Sequence, residues 1–237
     1  MNPLKISRIV DLSQSLYPGM PSWPTLPDLR FEAVKKAARD VYTINVITQM
    51  HMHIGTHVDV PLHSIEEGKS VEQYSIERYV GEGVVLDFTV KKPAEEITGQ
   101  DLLAYSDSIK PGDVVMLCTD WSKQRGLNSD YLYKWPYLGI TGCRFLLEKK
   151  VKAVGTEGMS IAGWTETVAA QGPVSKYSSV EIHNMLLEKD IIIIEGLSNL
   201  SEVLADRKTA RVFFAFAPLN FVGAEGAPCR AMAFDID

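Results

Sequence analysis

Short apolar runs recur along the chain, most of them separated by stretches with helical spacing. Residues 41–52 (VYTINVITQMHM) are β-branched and roughly alternating, which predicts a strand. Residues 84–88, 114–119, 151–156 and 191–194 are short apolar runs that predict buried strands, and 212–217 and 231–236 predict two more near the end. Between them, 100–105 reads as a helix with Thr98 as N-cap, and 141–150 as a second. Residues 178–189 read as a third, with Ser178 and Glu181 as a capping box. Residues 17–27 hold four prolines and a glycine and predict an ordered loop. Strands alternating with helices predict an α/β fold with some parallel pairing. The early β-rich part and the late strand pair make the sheet mixed, with a second sheet or partial barrel.

At 237 residues and 46% hydrophobic content, residues 1–237 are expected to form a single domain. Only the balance of charge changes this picture. A formal net charge of -6 argues against nucleic-acid or anionic-membrane partners, which need clustered Lys and Arg. Cys118, Cys143 and Cys229 lie far apart with no CxxC pair, so neither a disulfide framework nor a thiolate zinc site is expected. No run is apolar enough for a signal peptide or a membrane span, and a cytoplasmic location is expected.

Four of the five histidines fall between positions 51 and 63, in the run His51-Met-His53-Ile-Gly-Thr-His57-Val-Asp59-Val-Pro-Leu-His63. Imidazole and carboxylate are the usual nitrogen and oxygen donors for zinc, manganese and iron. On an extended chain the odd-numbered residues share one face. His53 and His57 would also align on a helix, but Gly55, Thr56, Val58, Val60 and Pro61 disfavour one. The expectation is a strand broken at Gly55, curving so that His53, His57 and Asp59 converge on a divalent cation. His51 is equally well read as a packed neighbour. Carboxylates also follow several of the apolar runs, at Asp87, Asp120, Glu157 and Glu195, where α/β folds collect ligands.

The string His53-x-Gly55-Thr56-His57-x-Asp59-x-Pro61-x-His63 resembles the signature of the cyclase family that includes bacterial kynurenine formamidase (arylformamidase). The resemblance extends to Asp11-Leu-Ser-Gln-Ser-Leu-Tyr-Pro-Gly-Met-Pro-Ser-Trp-Pro, to Val180-Glu-Ile-His183 and to Ile191-Ile-Ile-Ile-Glu195-Gly-Leu. It implies a β/β/α swivelling-type mixed-sheet fold, assembled as a homodimer or homotetramer. It implies one metal on His53, His57 and Asp59. Asp59 would bridge to a second metal held by His183 and Glu195, and His63 would be the acid/base. Two features of the residues agree. His183 is the one histidine outside the cluster, and Glu195 ends an all-isoleucine strand, a poor place for an unpaired carboxylate. The resemblance departs at Glu157-Gly-Met-Ser-Ile, where family formamidases are expected to carry an Asp-containing stretch.

The function implied is metal-dependent hydrolysis of an amide-type C–N bond in a small molecule, an aryl formamide such as N-formylkynurenine or a cyclic amide. The cofactor is Zn2+ or Mn2+, one or two per subunit. Trp23 and Glu157 are candidate substrate contacts, and Trp121 or Trp164 could stack on an aromatic ring. Two other readings stay open. Two His and a carboxylate also make the facial triad of non-haem iron oxygenases. A closed site would instead belong to a non-catalytic, metal-stabilised binding protein.

Overall fold

The computed structural model describes residues 5–164 and 179–236. Thirteen strands run in chain order: β1 (Ile6–Asp11), β2 (Arg30–Lys35), β3 (Ile44–Gln49), β4 (His57–Asp59), β5 (Val80–Asp87), β6 (Glu96–Ile97), β7 (Val114–Cys118), β8 (Tyr137–Leu138), β9 (Ala153–Thr156), β10 (Ile192–Glu195), β11 (Thr209–Ala215), β12 (Gly226–Pro228) and β13 (Met232–Ile236). The helices are α1 (Ala37–Asp40), α2 (Gly99–Leu103), α3 (Ser129–Tyr133), α4 (Ile140–Lys149), α5 (Ser179–Leu187) and α6 (Leu200–Leu204).

Nine strands form one mixed sheet in the order β1-β13-β11-β5-β7-β9-β10-β4-β12. The four central strands, β5, β7, β9 and β10, pair in parallel. Their continuous apolar sequences follow from burial on both faces. Val85, Met116 and Ile194 pack into a core on one face with Leu200, Val203 and Leu204 of α6. Val84, Leu117 and Ile193 pack into a second core on the other, with Leu102 of α2, Leu146 of α4 and Leu186 of α5. The outer strands pair antiparallel, which makes the fold mixed α/β.

The elements read from the apolar runs are present, with ends shifted by a few residues. Thr98 caps α2, its hydroxyl accepting from the Asp101 N–H while Asp101 accepts from the Thr98 N–H. The expected cap at Ser178 lies outside the described residues. Residues 41–52 do not form one strand: β3 covers only Ile44–Gln49, and it pairs with β2 as a separate two-stranded ribbon. Val41 there has φ 73°, a turn conformation, so the alternation marks the second arm of a hairpin. Among the described residues, no helix is long and apolar enough to cross a membrane.

Candidate metal centre and active site

The site is built where β4 enters the sheet between β10 and β12. Before β4 the chain must turn sharply, and Gly55 adopts φ 58°, where glycine has no steric penalty. Thr56 then fastens three segments together. Its hydroxyl donates to the Gly196 carbonyl at 2.6 Å and accepts from the Gln14 N–H at 2.8 Å. Gly196, at φ 63°, comes so close that a Cβ there would sit 2.3 Å from the Gly55 carbonyl oxygen. Antiparallel pairing places Glu195 opposite His57 and Ile193 opposite Asp59, so the carboxylate ending β10 meets the imidazole that starts β4.

His57 and Asp59 share one face of β4, as period-two alternation requires. Asp59 is fully buried. Its Oδ1 lies 2.7 Å from His53 Nδ1 and 3.4 Å from His57 Nε2, and its Oδ2 lies 3.7 Å from His183 Nε2. Glu195 lies 3.4 Å from His57 Nε2 through Oε2 and 3.1 Å from His183 Nε2 through Oε1. The Ile161 N–H also donates to Glu195 Oε1, at 2.7 Å. His63 follows Pro61 on a single turn of 3-10 helix, its ring centroid 4.2 Å from that of His53 and 5.3 Å from that of His183. Four imidazoles and two carboxylates therefore surround one point. His51 lies beside them, half-buried, and neither ring nitrogen has a hydrogen-bond partner among the described residues.

The electrostatics follow from this crowding. Burial opposes charge on His53 and His57, but the Asp59 carboxylate overrides it and raises His53 to about 9. Asp59 and Glu195 together raise His57 to about 10. Burial and the Asp59 charge push Glu195 upward, yet the His183 and His57 rings bring it down to about 2. His63 moves the other way: burial, with the charges of His53 and His183, lowers its pKa and favours the neutral ring.

Several features fit a bound cation. The ligand atoms of His53, His57 and Asp59 lie within 4.8 Å of one another, as do those of Asp59, His63 and His183. His57 Nδ1 donates to the Gly55 carbonyl at 3.0 Å, so Nε2 is the nitrogen that can serve a metal once its proton is displaced. That Nε2, together with Asp59 Oδ2, is buried with no hydrogen-bond partner among the described residues. Such orphaned atoms are costly in a protein interior unless an ion joins them.

Glu225 was not legible in the sequence. It stands just before β12, whose Gly226 pairs with Asp59, and its Oε1 lies 3.2 Å from His53 Nε2. It accepts the Nε2 proton and thereby aims Nδ1 at Asp59. Glu225→Gln is expected to weaken metal affinity by roughly 10- to 100-fold, as loss of a partner that orients a metal-binding histidine does. Competition with a chromophoric chelator measures this, and an unchanged constant rules the orienting role out.

A cavity of about 310 Å³ opens over the cluster, lined by His53, His57, His63, His183 and Glu195. Trp23, Leu26, Met159 and Val180 supply apolar wall, and Gln14, Tyr131, Ser64 and Ser160 supply polar groups. Trp23 stands half-buried at the wall, 4.9 Å from Trp164 behind it. Trp164 and Trp121 are each 2% exposed and belong to an aromatic cluster with Tyr131, Trp135 and Tyr137, so the expectation that either stacks on a substrate is corrected. Glu157 is also corrected as a substrate contact. It is fully buried, accepting from the Thr119 N–H at 2.8 Å and the Ser122 hydroxyl at 2.6 Å, while Met159 and Ser160 of the same loop face the cavity. Asp87 and Asp120 bind Lys208 and Lys123 outside the cavity, so Glu195 alone of the four carboxylates at strand ends enters the cluster.

The chain is similar to known proteins over most of its length. A kynurenine formamidase of Erythrobacter litoralis is 27% identical over 226 residues, covering 95% of this chain and 93% of its own. The solved isatin hydrolase A of Labrenzia aggregata, bound to benzyl benzoate, superposes with TM-score 0.81 at 26% identity, covering 96% of this chain and 93% of that one. A solved potential metal-dependent hydrolase with cyclase activity superposes with TM-score 0.73 at 27% identity, covering 96% and 98%. The family model described as "Putative cyclase" matches residues 10–162, well over half of the sequence, and the chain belongs to that family.

Proposed function

We propose that residues 1–237 form one domain that hydrolyses an amide-type C–N bond of a small molecule with the help of a divalent metal. The substrate is an aryl formamide such as N-formylkynurenine, or a cyclic amide. The observation that carries this reading is the pair of buried, unpartnered ligand atoms, His57 Nε2 and Asp59 Oδ2, within a cluster of imidazoles and carboxylates that lines a cavity. The named relatives, a kynurenine formamidase and an isatin hydrolase, support the same class of bond. A non-haem iron oxygenase needs only two His and one carboxylate, whereas two more imidazoles and a second carboxylate crowd this point.

His53, His57 and Asp59 would hold one ion, zinc or manganese. A second ion would be held by His183 and Glu195 together with Asp59. When bound, the metal supplies Lewis acidity, polarising a carbonyl and lowering the pKa of water from about 15.7 to about 7. The protein does the rest. Trp23, Leu26 and Met159 seat the apolar part of the substrate and displace water. His63 has no hydrogen-bond partner among the described residues and lines the cavity with its ring biased toward neutrality. It takes a proton from the attacking water on a ring nitrogen and returns it to the leaving amide nitrogen. The grouping of His63 with Asp59 and His183 favours a second reading, in which His63 is a ligand of the second ion.

Elemental analysis of the purified protein, followed by a screen of N-formyl aryl amines, isatin-like rings and lactams, tests the proposal. A metal-loaded protein that cleaves none of them sinks it.

Metal binding should depend steeply on pH. In the metal-free protein His53 and His57 hold protons up to about pH 9 and about pH 10. A cation must displace both protons, so affinity rises with pH, by up to about a hundredfold per unit below pH 9. Dissociation constants from pH 6 to pH 8 measure it, and a flat profile contradicts the assignment.

Two further properties belong to this reading. The β2–β3 ribbon exposes Phe31, Val34, Ile44, Val46 and Ile47, which supports a homodimer or homotetramer, and sedimentation at micromolar concentration reads the mass. The three free cysteines support the cytoplasm as location.

A further inference from the structure

The cavity holds a second polar group that takes no part in the cluster of histidines. Tyr131 sits on α3, positioned by Asn128, whose side-chain oxygen accepts from the Tyr131 N–H at 2.9 Å. Its ring is 1% exposed in the aromatic cluster, yet it lines the cavity. The hydroxyl accepts a hydrogen bond from Gln14 Nε2 at 3.1 Å. Gln14 is held in turn by its backbone N–H on Thr56, one residue from the His57 ligand. The Arg125 guanidinium lies beside the same hydroxyl, anchored by Nη2 to the Ser15 carbonyl at 2.9 Å, and its Nε is buried without a partner.

Donors outnumber acceptors here. With the amide as placed, the Tyr131 oxygen receives hydrogen bonds and its own proton has no acceptor among the described residues. With the amide turned over, Tyr131 donates to Gln14 Oε1 and the Gln14 NH2 is left unspent. Either way the pair, which lines the cavity, keeps at least one donor that no acceptor among the described residues takes up. Tyr131 is fixed by packing, and the Gln14 side chain is held by its bond to Tyr131, so little ordering is needed when an acceptor arrives. Apolar Trp23, Leu26 and Met159 share the cavity with this pair and with the histidines.

We propose that Gln14 and Tyr131 recognise a hydrogen-bond acceptor on the substrate, a carbonyl or carboxylate oxygen separate from the scissile amide, and so select ring compounds that carry both groups. This rests on the amide-hydrolase reading of the same cavity. An empty donor pair left facing an alkyl group loses its hydrogen bond to water and gains nothing, which is how a polar subsite rejects the wrong substrate.

The test compares N-formyl-2-acetylaniline with N-formyl-2-ethylaniline on the wild-type protein, on Tyr131→Phe and on Gln14→Leu. Calorimetry gives the ratio of the two dissociation constants, and kinetics gives the ratio of kcat/KM. The wild type is expected to favour the acetyl compound by about tenfold, and each variant to bring that ratio close to one. A wild-type ratio near one, or a ratio that neither variant moves, overturns the proposal. Calorimetry is run on protein stripped of metal by chelation and kinetics on protein as purified, so binding is read without turnover and the two ideas fail separately. A preserved binding preference with no hydrolysis of either compound, nor of isatin-like rings and lactams, sinks the hydrolase reading alone. Hydrolysis with a ratio insensitive to both variants sinks the subsite alone.

Discussion

His63→Ala is expected to retain its metal and to lose roughly 100- to 10,000-fold in kcat, the range that positioned acid/base groups contribute. The argument rests on what distinguishes His63 from its neighbours. His53 and His57 are engaged by Asp59, and His183 by Glu195, at 2.7 to 3.4 Å. Among the described residues His63 makes no hydrogen bond or ion pair as close as these; it stacks near His53 and His183, with a nitrogen within 4.8 Å of Asp59. Its pKa is lowered by burial and by the charges of His53 and His183, so near pH 7 it is the cluster's available base. Deleting it removes a proton carrier and leaves the donors of His53, His57 and Asp59 in place. At saturating metal, the pH profile of the variant should lose the part of its acid limb that reports the base becoming protonated. Metal content and kcat must be measured together. Half the metal of wild type would make His63 a ligand of a second ion, and full activity would remove it from the reaction.

The difference between what was legible in the sequence and what was not lies in how far each signal reaches along the chain. The central strands were legible because both faces are buried, and a continuous apolar run as short as residues 191–194 suits a strand covered on both sides. His53, His57 and Asp59 were legible because their spacing is local: seven residues and one bend at Gly55 bring them together. Glu195 and His183 needed the resemblance, since only the pairing of β10 with β4 carries Glu195 to His57. Glu225 was invisible, because nothing in its own neighbourhood separates it from a surface glutamate, and its partner is 172 positions away. Glu157 misled for the converse reason. It ends a strand as Glu195 does, but its side chain turns to the Thr119 and Ser122 donors at the end of β7. The ribbon of β2 and β3 shows a third limit: β-branched alternation identifies strands but does not say which sheet they join.

His57→Ala should lose the metal outright and also destabilise the metal-free protein. In the metal-free fold the His57 ring, raised to about 10 by Asp59 and Glu195, is a buried cation between two buried carboxylates. Removing one partner of a buried ion pair costs about 3–5 kcal/mol, because the remaining charges lose their compensation. For a chain of this size that corresponds to a fall in Tm on the order of 10 °C. The sign with pH is fixed by the direction of the shift. A histidine whose folded pKa is raised contributes fully below its unfolded value of about 6.5, and that contribution fades as pH rises toward the folded value. The stability gap between wild type and His57→Ala, both stripped of metal, should therefore be widest near pH 6 and close toward pH 10. Restoring metal should stabilise the wild type and leave the variant unchanged, since binding to the folded state alone raises its stability. A variant that keeps a full complement of metal would place the ion elsewhere. A gap that widens with pH would mean that His57 is neutral in the fold and that Asp59 and Glu195 are held by His53 and His183 instead.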